Sequence, residues 1–122
     1  MTTYPNARRG DIWFVTEEAL GGLETDRTIR GARPVLIVSN DGHNFISPCL
    51  TVIPISSGAH RLDGSDPANV ILTSCCLERQ SAAAVSQITT IDRDQLLRFV
   101  GTACAYDIAA VRDAICKHLN FY

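Results

Sequence analysis

Residues 33–57, RPVLIVSNDGHNFISPCLTVIPISS, hold two strand-like apolar runs, Val35–Val38 and Leu50–Ile55, joined by a short polar link. Pro34 fixes its own φ and biases Arg33 toward an extended conformation. Arg33 therefore stands at the mouth of a strand and not on a loop tip. Ser56 and Ser57 leave the second run as a hydroxyl pair. If the runs pair antiparallel, Arg33 and Ser56 fall at one end of the pair. A permanent cation beside a hydroxyl suits the handling of a phosphate.

The rest of the chain reads as strands until its last segment. Gly10–Thr16 is a first strand with apolar Ile12, Trp13, Phe14 and Val15. Residues 17–32 are polar, with two adjacent glycines and mixed charge, and read as a mobile loop. A loop of that length in a compact domain is usually functional or disordered. Asp41-Gly42 and Pro48 mark the link between the two central strands as a turn. Residues 58–67, with His60 and Arg61, form another polar loop. Asn69–Thr73, Ala82–Ile88 and Leu96–Val100 read as further strands, and Ile91–Asp94 as a turn or a single helical turn. From Asp107 to Leu119 the period changes: Ile108, Val111, Ile115 and Leu119 recur at helical spacing. Asp107 near its start and Lys117 and His118 near its end suit the helix dipole.

A chain of 122 residues makes one domain, 1–122, with a core of its own and residues 1–8 as a flexible arm. The expected fold is α+β: a small, strongly bent antiparallel β-barrel with a C-terminal α-helix packed on it. No run approaches the roughly 20 apolar residues of a membrane span, and the first ten residues lack the apolar stretch of a signal peptide. The expected location is cytoplasmic. Five cysteines, an odd number without a CxxC pair, read as reduced and mostly buried thiols. The adjacent Cys75 and Cys76 and three scattered histidines make a poor zinc set, so no metal and no cofactor are expected. A net charge of −2 is not the footprint of a general nucleic-acid binder. The cations, however, are arginines apart from Lys117, and arginine matches phosphate in a fork.

RGDIW at 9–13, RPVLIVSND at 33–41, Asn44, VIPIS at 52–56, SQITTID at 86–92 and Gly101 follow one another in a register that resembles the MazF/PemK family, the toxins of type II toxin–antitoxin systems. The resemblance runs over nearly the whole chain. It implies an SH3-like barrel shared with the CcdB-type gyrase poisons, a homodimer, and silencing by a cognate antitoxin with an acidic, disordered tail. It also implies a sequence-specific, metal-independent endoribonuclease acting on single-stranded RNA. The family's catalytic arginine corresponds to Arg33 and its partner hydroxyl to Ser56. Asn40 and Gln87 match positions at the end of the second strand and in the fifth-strand motif. Glu24 stands nearest to the family's acid in the first loop, although the stretch from Glu24 to Arg33 is several residues longer than the family pattern. With His60 and Arg61, these form the expected RNA-binding set. Thr89 departs from the basic residue that many members carry there.

The chemistry follows from RNA itself. The 2′-hydroxyl attacks the adjacent phosphate, so the enzyme must help remove its proton, stabilise charge on the phosphoryl oxygens and protonate the leaving 5′-oxygen. Arg33 suits the charge, and Ser56 can donate to a non-bridging oxygen. His60, Glu24 and Asp26 are the candidate proton carriers. The bland alternatives are a surface arginine, a strand-end hydroxyl, a solvated histidine, a core Trp13 and a structural acceptor at Asp11. Two other functions fit the fold. A gyrase-targeting protein would use a Trp-Gly-Ile-type tail, where this sequence has Asn120-Phe121-Tyr122. A non-cleaving binding protein would keep the groove and not the chemistry.

Overall fold

The computed structural model describes residues 6–20, 32–74 and 76–121. Its centre is a pair of antiparallel strands, β2 (Ala32–Ile37) and β3 (Cys49–Ser56), in the register Val35↔Pro54, Leu36↔Ile53 and Ile37↔Val52. β1 (Asp11–Thr16) pairs with the other edge of β2, and β7 (Leu96–Thr102) pairs with β1. The far edge of β3 is shared. β6 (Thr89–Asp92) runs against its first half, and β5 (Ala82–Ala84) against its end. β4 (Asn69–Ile71) completes the order β4-β5-β3-β2-β1-β7.

The apolar run Val35–Leu36–Ile37 is continuous because β2 is buried on both faces. Val35 and Ile37 enter one core cluster with Val15, Leu50, Val52 and Leu96. Leu36 enters the other with Ile12, Ile53, Val111 and Ala114. Val111 and Ala114 belong to α3 (Ala105–Leu119), so the helix covers that second face as its 3.6-residue spacing requires. Each wholly buried branched side chain stabilises the fold by about 1.5–3 kcal/mol.

The α+β class, with its antiparallel sheet and C-terminal helix, stands as expected. The barrel, however, is not closed. Among the described residues no ladder joins β7 to β4. The link between β2 and β3 is a short helix, α1 (Asp41–Ile46), and not a plain turn. Side-chain hydrogen bonds hold it, from within the helix and from outside. Asn40 caps it by accepting from the His43 N–H at 2.8 Å, and buried Asn44 donates to the Ser39 carbonyl at 2.8 Å. Arg93, also buried, donates through Nε to the Ser47 carbonyl at 3.2 Å and through a terminal nitrogen to the Asn44 carbonyl. A buried cation there offsets the negative end of the helix.

Other boundaries shift for similar reasons. The expected strand Ala82–Ile88 keeps pairing only to Ala84 and then coils into a 3-10 turn, Val85–Gln87. The expected turn or single helical turn at 91–94 is divided: Ile91 and Asp92 end β6, whose single buried residue, Ile91, is too faint a signal of alternation, and a 3-10 turn, Arg93–Gln95, follows. The loop 58–67 holds a four-residue helix, α2 (Ala59–Leu62). Of the expected flexible arm, residues 6–8 are described: Ala7 packs in the core, and the Arg8 N–H donates to Asp11 at 2.9 Å. The cysteine reading needs correcting. Cys49, Cys76 and Cys116 are half-buried and Cys104 is exposed, though all four are free thiols. Among the described residues no helix is long and apolar enough to cross a membrane.

Candidate active site

Arg33 enters β2 opposite Val15 of β1. The β2–β3 ladder ends at Val35↔Pro54, and Arg33 and Ser56 each lie two residues beyond that rung, at the same end of the pair. Two residues along a strand, a side chain returns to the same face. Arg33 is 6% exposed and Ser56 is 2% exposed. Among the described residues the Arg33 guanidinium makes no hydrogen bond and no ion pair. Its guanidinium borders an open cleft, so an anion entering that cleft can complete it. The Ser56 hydroxyl accepts from the Gly58 N–H at 3.1 Å, which leaves its own proton to donate elsewhere.

Gly58 draws His60 into this cluster. A Cβ added at Gly58 would lie 2.9 Å from His60 Cε1 and 3.3 Å from Ser56 Oγ. The imidazole of α2 and the Ser56 hydroxyl are thus neighbours across the bare α-carbon. Arg61, one residue on, faces away and donates to Asn69 Oδ1 at 3.2 Å, binding α2 to β4. Asn40 stands beyond the other end of β2, about 23 Å along the chain from Arg33 at roughly 3.3 Å per residue. There it caps α1 and lines a separate cleft of about 640 Å³ with His43, Ile108 and Val111. Gln87 ends the 3-10 turn between β5 and β6, half-buried beside the middle of β3. Glu24 and Asp26 lie outside the described residues. The structure therefore puts Arg33 and Ser56 at one end of the central strand pair with His60 beside Ser56, and leaves Asn40 and Arg61 in structural contacts of their own.

A second cleft, of about 270 Å³, opens beside Arg33 and is lined by Phe14, Pro34, Arg79 and Arg98, with Glu78 on its rim. No motif had marked Phe14 or Arg98. They are 84 residues apart in sequence, and only the β1–β7 register, Phe14↔Arg98, makes them partners. The Arg98 guanidinium carbon lies 4.7 Å from the Phe14 ring centroid. Among the described residues no group of three or more His, Cys, Asp or Glu side chains is placed to hold a metal ion. The arrangement can bind an anion, donate to it from Ser56, and set an imidazole beside it.

Residues 8–119 match the family described as PemK-like, MazF-like toxin of type II toxin–antitoxin system. The chain is 31% identical over 122 residues to "Endoribonuclease MazF9" of Mycobacterium tuberculosis, covering 94% of this chain and 98% of that protein. Among solved structures it superposes on an endoribonuclease from Mycobacterial species with a TM-score of 0.74 at 17% identity, over 98% of this chain and 96% of that one. An endoribonuclease in complex with its cognate antitoxin, also from Mycobacterial species, gives a TM-score of 0.72 at 18% identity, over 96% of each chain. At those identities the structural likeness speaks for the fold alone.

Proposed function

This chain belongs to the PemK-like, MazF-like toxin family of type II toxin–antitoxin systems, and from that premise we propose that it is an endoribonuclease cutting single-stranded RNA at Arg33 and Ser56. The observation that carries the reading is the Arg33 guanidinium, unpaired among the described residues, at the same end of the central strand pair as a hydroxyl whose proton is free. A phosphate supplies the missing anion.

In the proposed reaction the 2′-oxygen attacks phosphorus as its proton leaves. The bond from phosphorus to the 5′-oxygen breaks, and that oxygen takes a proton. The products are a 2′,3′-cyclic phosphate and a 5′-hydroxyl. Arg33 stabilises the charge that gathers on the phosphoryl oxygens, and its fork fixes the phosphate in one orientation. Ser56 donates to a non-bridging oxygen. His60 is the imidazole placed beside Ser56 and is a candidate proton carrier. The route needs no metal ion, and it consumes the 2′-hydroxyl, so DNA is not cut.

The partners follow from the same site. The named relatives include a complex with an antitoxin. For this chain we expect an acidic, disordered antitoxin tail that accepts the Arg33 fork and competes with RNA for one surface. A homodimer is part of the proposal. The deciding experiment is incubation with a long RNA in EDTA, with mapping of cut sites and end groups. Discrete cuts bearing cyclic phosphate support the reading. Intact RNA at high protein concentration overturns it in favour of a non-cleaving binding protein.

A further inference from the structure

We propose that Arg98, backed by Phe14, holds the phosphate next to the scissile one on the bound RNA strand; this rests on the reading of Arg33 and Ser56 as the cutting site. The family match names no residue, and the β7 arginine lies outside every motif that pointed to function.

The argument begins with the sheet. Phe14 in the middle of β1 pairs with Pro34 on one side and Arg98 on the other. The three share a face and line the cleft that also contains Arg33. Arg33 stands one residue before Pro34, at the end of the strand pair where β3 closes with Ser56. It is therefore the residue at which the Ser56 face and the cleft meet. β2 and β7 are two strand spacings apart, about 10 Å, so Arg33 and Arg98 can reach successive phosphates of one strand.

Phe14 gives Arg98 its form. A guanidinium lying over a ring has one face covered, while its N–H groups point outward in its own plane. That edge is the one a phosphate takes in a bidentate pair. Packing on the ring also restricts the side chain before any ligand arrives, which lowers the ordering cost of binding. Charge supports the assignment. Among the described residues, Arg33, Arg79 and Arg98 line the cleft against one carboxylate, Glu78, and none of the three arginines makes an ion pair. On a protein with net charge −2, that local excess of cations is a feature of the site and not of the surface at large. The competing explanation is that Arg98 merely packs β7 against β1.

The test uses a fluorescent seven-nucleotide DNA strand, which offers the phosphates and no 2′-hydroxyl to attack. Anisotropy gives its dissociation constant at several salt concentrations. Arg98→Ala is expected to weaken binding about tenfold, the worth of one charge-assisted contact. It is also expected to make the slope of log affinity against log salt shallower by about 0.7, one phosphate on a single strand. Arg98→Lys keeps the slope and still binds more weakly than the wild type. An unchanged slope in a folded Arg98→Ala overturns the proposal. Should that variant fail to fold, neutral methylphosphonate linkages placed one at a time in the strand decide it on the wild-type protein. Two adjacent sensitive linkages are expected, and a single one overturns the assignment. Binding that behaves as expected while RNA stays uncut would sink the nuclease reading and leave the Arg98 site standing.

Discussion

Thr73 donates twice to Asp107: its N–H lies 2.9 Å from one carboxylate oxygen and its hydroxyl 2.7 Å from the other. Ser74 adds its hydroxyl to the same carboxylate. Asp107 is wholly buried in the first turn of α3, so these bonds fix the helix to the chain leaving β4. Burial by itself raises the Asp107 pKa, but the donors Ser74 and Thr73 outweigh it and hold the carboxyl below its ordinary value. A depressed folded pKa gives stability that is complete above the unfolded value, near about 3.9, and is lost as pH falls through the folded value. Asp107→Ala is expected to cost about 2–3 kcal/mol, because it strands buried donors. Thermal melts from neutral pH downward check both points. The wild type should lose stability below about pH 4 more steeply than the variant.

Gly101 is where Cys76 closes on β7. A Cβ at Gly101 would lie 2.5 Å from the Cys76 Cβ and 2.9 Å from its Sγ. Gly101→Ala should therefore destabilise the fold by about 1–3 kcal/mol, the range for overpacking. Cys76→Gly in the same chain should recover part of that loss. Denaturant melts of the two single variants and the double variant form the cycle. Additive losses would show that the two positions do not meet.

Gly101 also marks the limit of what the sequence showed. Its place in a motif was readable, and the side chain that demands a glycine was not. The central strands and the last helix were legible because their periods are long and their burial consistent. α1 was not, since Asp41-Gly42 locally favours a turn and the groups that hold the helix, Asn44 and Arg93, are 49 residues apart. In the site, Arg33 and Ser56 could be paired from two strand ends and a register. His60 beside Ser56 depends on the φ and ψ of residues 57–59, and Phe14 beside Arg98 depends on a strand pairing that spans most of the chain. Neither leaves a local pattern.

Arg33→Ala is expected to slow RNA cleavage at least about a hundredfold, the order of loss for removing a preorganised charge-stabilising donor. His60→Ala should cost far less. Arg33→Lys should remain badly impaired, because an ammonium is a point charge and cannot reproduce the fork. Single-turnover rates on one oligonucleotide, with melts to confirm folding, decide the order. Equal losses at Arg33 and His60 would move the chemistry toward the α2 loop.

Cleavage should proceed unchanged in EDTA, since the proposed 2′-hydroxyl route draws its charge stabilisation from Arg33. Activity abolished by the chelator and restored by a divalent ion would contradict the proposed mechanism. An oligonucleotide with a 2′-deoxy sugar at the cut site should bind and stay whole. Cutting of that substrate would require a nucleophile other than the neighbouring hydroxyl.

The last expectation concerns self-association. Phe45 is 86% exposed and Ile46 77% exposed at the end of α1, next to one another. Single exposed apolar residues are ordinary, but two large neighbours at that exposure offer apolar area for a second copy to cover. α1 flanks the cleft that α3 forms from the other side through Ile108, Val111 and Ile115. A second copy meeting α1 would bury the pair. The small residues Ala109 and Ala110 on α3 allow close approach. Light scattering at micromolar concentration should give the mass of a dimer, and Phe45→Asp with Ile46→Asp should reduce it to the monomer without lowering α-helical content. A wild type that scatters only as monomer contradicts the dimer. A variant that stays dimeric places the interface away from α1, on the sheet or on α3.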